Sequence, residues 1–442
     1  MIFKEKITPM SFTKFILPSI LVMLCISIYT VVDGIFVARF VGSNALAAIN
    51  IVLPLYTIAF AVGIMFSTGG GALVSIKLGQ KHIKEASENF TQLLVVGISF
   101  GILATVICLL FHNHLLQFLG ATTALKPYAK DYSFFMIISF PVLICKVLFE
   151  GFLRADGNPG LSLKMSILGG VTNIVLDYIF IVPMGMGISG AGLGTFLGAF
   201  ISLFIGFAHF QSGKSVLSFS LSPIDYSFLL KTVTNGSSEM VNEIAIAFTT
   251  LVFNTLTLKY AGNSGVAAIS IILYINFIFS SIYIGFSTGV APLISYQYGA
   301  RNEKELNTVL LYCRRFLMIC SPFLFVITLI TTPLLVSIFV NQSDPVYSIA
   351  VQGLYLFSIS FIFNGLNMYG SGLFTALSNG KISALISFSK TFIFFLTGSL
   401  TLPVLFKLTG VWLIQPLAEG ICAIMVVYFM KSKSNKKYCM SS

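Results

Sequence analysis

FSTGGGALVSIKLG, residues 66–79, returns as FSTGVAPLISYQYG at residues 286–299, a spacing of 220. The spacing holds outward from there. GSNALAAINIVLP from Gly42 matches GNSGVAAISIILY from Gly262, and residues 42–85 and 262–305 share 17 identities in 44 ungapped positions. Matches between two apolar runs carry little weight. The weight falls on the shared FSTG, the shared closing glycine and the pairs Lys84-Glu85 and Lys304-Glu305. Farther on the register shifts by about one residue: Gly151 to Ala155 answers Gly372 to Ala376, and Gly190 to Leu193 answers Gly410 to Leu413. A long fixed period marks a duplicated unit. The chain reads as two halves, 1–215 and 216–442, joined through a Ser-rich stretch at 212–225 that contains Pro223.

Neither half has the composition of a soluble domain. Of 442 residues, 56% are hydrophobic and 9% charged, where soluble domains carry about a quarter charged residues. Runs of about 20 apolar residues, enough to cross a bilayer, recur twelve times. They fall near 13–38, 45–76, 88–111, 128–152, 160–182, 189–210, 226–258, 263–298, 310–333, 349–375, 381–405 and 409–430. The expected fold is an all-α integral membrane protein with twelve transmembrane helices in two pseudo-symmetric six-helix lobes. Six is even, so the halves are parallel repeats about an axis along the membrane normal, as in transporters that rock two halves around a central site. Duplicated channels also exist, so the repeat favours transport without deciding it.

The net charge of +11 could suggest nucleic acid, but its placement argues otherwise. The termini and the loops on their side account for 20 of the 26 Lys and Arg, whereas the opposite loops hold only Arg39, Lys126, Lys130, Lys259 and Lys407. That bias predicts a multi-pass protein of the cytoplasmic membrane with both termini in the cytoplasm and no nucleic-acid partner. The first apolar run is too long for a cleavable signal peptide and has no small-residue cleavage site. Five of the seven cysteines lie inside spans, and Cys313 and Cys439 have no partner at a metal or disulfide spacing. His82, His112, His114 and His209 sit in loops or at span ends, no HExxH motif or P-loop occurs, and no hydroxyl has a nearby base. Enzymatic chemistry and a cofactor are therefore not expected.

What remains is a short set of polar residues inside the spans. Asp33 sits in the first, FILPSILVMLCISIYTVVDGIFVARF (15–40), which also carries Pro18. An acid at the centre of such a helix costs roughly 2.5–3.5 kcal/mol on insertion scales, so it needs a partner, a watery cavity or a role. The alternative is a hydrated acid near a helix end. Asn173 and Asp177 in the fifth span are four apart and share a face. With Thr195 of the sixth span they would form, with Asp33, an oxygen-rich pocket for Na+ or protons; helix-to-helix glue is the plainer reading of the Asn-Asp pair. The residue 220 positions after Asp33 is Phe253, so the second half does not reproduce this acid. Asp33 finds its candidate partners within its own half, which favours a part in coupling ion movement. In the second half, Glu239 and Glu243 are also four apart, with Asn364 and Asn367 in the tenth span. They read as a second site, for substrate or ion, or as a hydrated funnel. Lys146 and Glu150 most simply neutralise each other.

Taken together, the twelve spans, the repeat, VDGIFVARFVGSNALAA (32–48), GISGAGLGT (187–195) and GVWL (410–413) resemble the multidrug and toxic compound extrusion (MATE) family, closest to its DinF-like and MepA-like branches. The resemblance covers nearly the whole chain. It implies a helix-one proline at Pro18 acting as a hinge. It also implies a first-lobe cation site, H+ or Na+, at Asp33, Asn173, Asp177 and Thr195. Export of amphipathic organic cations would be driven by the inward flow of that ion. The family's NorM-like members place an acid on helix ten, where this chain has Asn364 and Asn367. Glu243 resembles a helix-seven acid of MepA-like members.

The expected function is thus a secondary antiporter working by alternating access. Its partners would be small amphipathic cations and the lipid bilayer, and the expected state is a monomer. A lipid-linked oligosaccharide flippase would need basic residues in a central cavity, where only Lys146 and Lys164 are candidates. A membrane-embedded transferase would need His/Asp clusters or DDxxD motifs, and a channel a filter motif. None of these motifs is visible.

Overall fold

A computed structural model describes residues 6–432 and is helical throughout its regular elements. The helices are α1 (Pro9–Phe40), α2 (Ser43–Met65, a π turn at Phe66–Gly70, then Gly71–Gly79) and α3 (Ile83–Leu110). Then come α4 (Lys126–Ile138 and Phe140–Ala155, bent by 49°), α5 (Pro159–Ile181) and α6 (Gly187–Gln211). The helix Tyr226–Gly299 is broken at Gly262 into α7 (226–261) and α8 (263–299). After α9 (Glu303–Ser337), α10 is Pro345–Phe357 and Ser360–Ala376, bent by 52°. The final stretch, Gly380–Lys431, is broken at Lys407 into α11 (380–406) and α12 (408–431). With the bent pairs taken as one span each and the broken helices as two, the described residues hold the twelve expected spans.

The duplication extends to the backbone. Positive φ angles occur in pairs at the repeat spacing: Gly42 (113°) and Gly262 (61°), Lys81 (67°) and Arg301 (52°), Gly157 (86°) and Ser378 (59°), Gly187 (59°) and Lys407 (51°). Left-handed geometry favours glycine, yet the second half holds three of these turns with side-chain-bearing residues. At Gly157/Ser378 and Gly187/Lys407 the turn geometry is shared although only one lobe has the residue that suits it best. Hydrogen bonds repeat as well. Ser67 Oγ donates to the Val147 carbonyl at 3.0 Å, and Ser287 Oγ to the Met368 carbonyl at 3.2 Å. Each bond staples α2 to α4, or α8 to α10, inside one lobe.

The lobes meet at the end where α1 begins, the basic end. There a Cβ on Gly79 would strike the Tyr296 carbonyl, and one on Gly299 the Ile76 carbonyl, so two repeat-equivalent glycines let α2 and α8 cross backbone to backbone. A Cβ on Gly236 of α7 would strike the Met65 carbonyl of α2, while Gly285 and Gly289 of α8 admit Ser19 and Ile20 of α1. One apolar core, containing Phe15, Phe66, Phe152, Phe286 and Tyr283, bridges both lobes there. Toward the other end the lobes have separate cores, one around Phe253 and Trp412, the other around Val37 and Tyr132. Trp412, the chain's one tryptophan, is buried against Gly353 of α10. The connector after α6 is stitched to the first lobe: Val216 N–H donates to Asp156 Oδ1 (2.8 Å) and Ser220 N–H to Thr91 Oγ1 (2.9 Å).

Candidate functional site

The first-lobe polar residues converge where α1, α5 and α6 pack. α5 and α6 approach closely because Gly169 and Gly198 face each other across the helix pair. Gly194 of α6 leaves the space that Asp177 Oδ1 occupies, and a Cβ there would collide with the carboxylate. The glycines of GISGAGLGT thus serve both packing and the acid. Asn173 Nδ2 donates to Thr195 Oγ1 at 3.2 Å, and that hydroxyl donates to the Ala191 carbonyl at 3.1 Å. Asp33 of α1 lies against Asp177, carboxyl to carboxyl. Asp33 Oδ1 and both oxygens of Asp177 are buried without a hydrogen-bond donor. All four predicted residues therefore come together. α1 runs as one helix through Pro18.

Beside this group lies a narrow pocket lined by Tyr29, Tyr56, Lys146, Gly170, Asn173 and Thr195. Lys146 pairs with Glu150 at 3.9 Å and lies 5.9 Å from the centre of the Tyr29 ring. The expected neutralisation is present. Tyr132 of α4 lies within electrostatic reach of Asp33 and Asp177. Nothing in its own stretch, KDYSFFMII, distinguished it from other span aromatics.

The second lobe is arranged differently. Glu239 receives Asn242 Nδ2 at 3.4 Å and lies within electrostatic reach of Glu243 and of Lys390 on α11. Lys390 Nζ is 3.8 Å from Glu419 Oε1 on α12, a carboxylate only 1% exposed. Asn367 Nδ2 donates to Glu419 Oε2 at 2.6 Å, and Gln415 Nε2 to Oε1 at 3.0 Å. Asn364 turns to Ser280 Oγ at 2.9 Å instead. Asn367 thus belongs to a cluster that includes Glu239 through Lys390, and Asn364 points elsewhere. Sequence reasoning missed Lys390 and Glu419 and counted Lys390 with the loop charges. Its position ten residues inside the run 381–405 was the available signal.

Between the lobes lies a small pocket lined by residues of both. Repeat partners Ser67 and Ser287, and Thr68 and Thr288, face it together; Arg154 enters from the first lobe and Glu239 from the second. Among the described residues no group of three His, Cys, Asp or Glu is placed to hold a metal. His112 Nε2 lies 2.6 Å from Ser133 Oγ, and His209 Nε2 lies 2.7 Å from Asp156 Oδ2, both local contacts.

A family model described as MatE matches residues 18–179 and 240–398, one block in each lobe. The chain belongs to the MatE family. Similar curated proteins include "Multidrug export protein MepA" of Staphylococcus aureus (strain MSSA476), 26% identical over 433 residues, covering 95% of this chain and 93% of that protein. A protein of the same name in Staphylococcus saprophyticus is 25% identical over 423 residues, covering 92% and 91%. Among solved structures, "Crystal structure of MATE in complex with MaL6" superposes with a TM-score of 0.91 at 20% identity, covering 99% of this chain and 98% of that one. "Outward-facing conformation of a multidrug resistance MATE family transporter of the MOP superfamily" gives 0.89 at 20% identity, covering 97% and 96%. As a MatE protein the chain is a multi-pass membrane transporter of the two-lobed, twelve-helix fold, and not an enzyme. The all-α fold expected from the repeat is the fold observed.

Proposed function

We propose that this MatE protein is a secondary multidrug exporter, moving amphipathic organic cations out of the cell in exchange for inward H+ or Na+. The observation that carries the reading is the first-lobe group, two adjoining carboxyls with three buried oxygens that have no donor. Neighbouring carboxylates in a low-dielectric site repel, and a proton or a hard cation relieves them. Four oxygen-bearing side chains in a glycine-made cradle suit either ion. The curated relatives' names support the cargo class.

The shared core at the basic end supports a state closed on the side assigned to the cytoplasm by the charge bias. Ion binding to one conformation and cargo binding to the other make each promote release of its competitor. Pro18, in the stretch of α1 that packs on α8, is positioned to let α1 bend between those conformations. Glu239, which lines the pocket between the lobes, offers negative charge to cationic cargo, with Glu243 one turn along the same helix. The reading places the protein in the cytoplasmic membrane, both termini inside, acting as a monomer.

Dye efflux in vesicles under separate Na+ and H+ gradients tests it. Efflux should follow one gradient and be lost in Asp33→Asn and Asp177→Asn. Normal transport by both variants would discard the site assignment.

A further inference from the structure

The two lobes can be compared residue by residue around the first-lobe cavity. Asn158, Ser162 and Ser166 on and before α5 answer Asn379, Ser383 and Ser387 at a spacing of 221, and this register sets Gly169 opposite Lys390. The same spacing sets Lys146 opposite Asn367, and the spacing of 220 from Gly190 to Gly410 sets Ala199 opposite Glu419. In the first lobe, Lys146, Gly169 and Ala199 are wall positions of the cavity beside the acidic pair. In the second lobe, the corresponding Asn367 and Lys390 both meet Glu419, the first by a hydrogen bond and the second as an ion pair. What glycine and alanine leave open in one lobe, an ion pair fills in the other.

The second-lobe pair is built for permanence. Both Glu419 oxygens have amide donors, Asn367 on Oε2 and Gln415 on Oε1, and the Lys390 ammonium lies 3.8 Å from Oε1 as the counter-charge. A buried carboxylate so furnished keeps its charge only with a counter-charge beside it. The π stretch Ser389–Phe395 begins one residue before Lys390, and the inserted residue of a π turn redirects the side chains around it. Asn367 Oδ1 is a buried acceptor without a donor on the same amide that holds Glu419, the kind of oxygen a cation collects.

We propose that Lys390 is a tethered cation. On Glu419 its ammonium takes the place that an exchangeable cation would take, so external cation uptake is confined to the first lobe. The transport part of this statement rests on the first-lobe coupling reading, whereas occupancy of Glu419 by Lys390 does not.

Amine rescue tests it on the purified full-length chain. Lys390→Ala should lower the melting temperature, and ethylammonium chloride should raise it again saturably, because a ligand that binds only the folded state stabilises it. Wild type and Lys390→Ala/Glu419→Gln should show no such rise, and 1-propanol should have no effect on Lys390→Ala. A folded Lys390→Ala that ignores ethylammonium overturns the proposal, as does an equal rise in wild type or the double variant. If Lys390→Ala does not fold, Lys390→Gln is titrated with ammonium and Na+. A saturable shift absent from wild type supports the proposal, and no shift overturns it. Dye efflux on the same proteins separates the two readings. Wild type exporting under neither gradient sinks the export reading alone, and exporting wild type with an unfilled Lys390→Ala sinks this inference alone.

Discussion

The two lobes share a scaffold down to their turn angles and staples, yet treat buried charge in opposite ways. In the first, Asp33 and Asp177 adjoin with three oxygens lacking donors, and the nearby Lys146 is engaged by Glu150. In the second, Glu419 has its own cation and two amides. At the position of Asp33 the second lobe has Phe253, packed 5.2 Å from Phe395 in an apolar core. A duplicated frame can thus keep its packing rules and diverge in electrostatics, because helix contacts depend on small residues and volume while charge depends on a few positions.

The sharpest way to break this contrast is to neutralise one acid in each lobe. Glu419→Gln leaves the partly buried Lys390 with only Glu239 in reach and should lower stability, by less than the ~3–5 kcal/mol of a fully buried pair. Asp33→Asn and Asp177→Asn relieve a repulsion and should leave stability equal or higher. Thermal unfolding in one detergent checks both, and a destabilised Asp177→Asn would erase the distinction. A smaller effect is expected where the lobes join. Gly236→Val forces α7 off the Met65 carbonyl and should cost about 1–3 kcal/mol, chiefly in the state closed at the basic end. Thiol labelling of a cysteine placed between α2 and α7 should speed up in that variant, and an unchanged rate would show that the seal tolerates the methyls. Least is expected of Thr195→Val. It removes the acceptor of the Asn173 amide and should cost about 1 kcal/mol while weakening ion dependence of efflux. Unaltered ion dependence would take Thr195 out of the site.

Much of this was legible in the sequence because span length and a 220-residue period are coarse signals that single substitutions do not erase. The acids of α1 and α5 stood out since each lies in an otherwise apolar run, and Asn173 and Asp177 announce a shared face by spacing. Lys390 and Glu419 lie on different helices, so no i, i+4 pattern links them. Their pairing exists only once α11 and α12 are packed. Tyr132 needed the bend in α4. The backbone crossing at the basic end was not legible either, since Gly79 and Gly299 read as ordinary terminal glycines until the helices cross.

Trp412 gives the molecule a practical asymmetry. It is the sole indole, it sits in the second lobe, and it precedes Glu419 on the same helix by two turns. Its emission is therefore a label-free gauge of one lobe alone. Titrating an ion while watching that band should separate events beside Glu419 from events at Asp33 without a single engineered fluorophore.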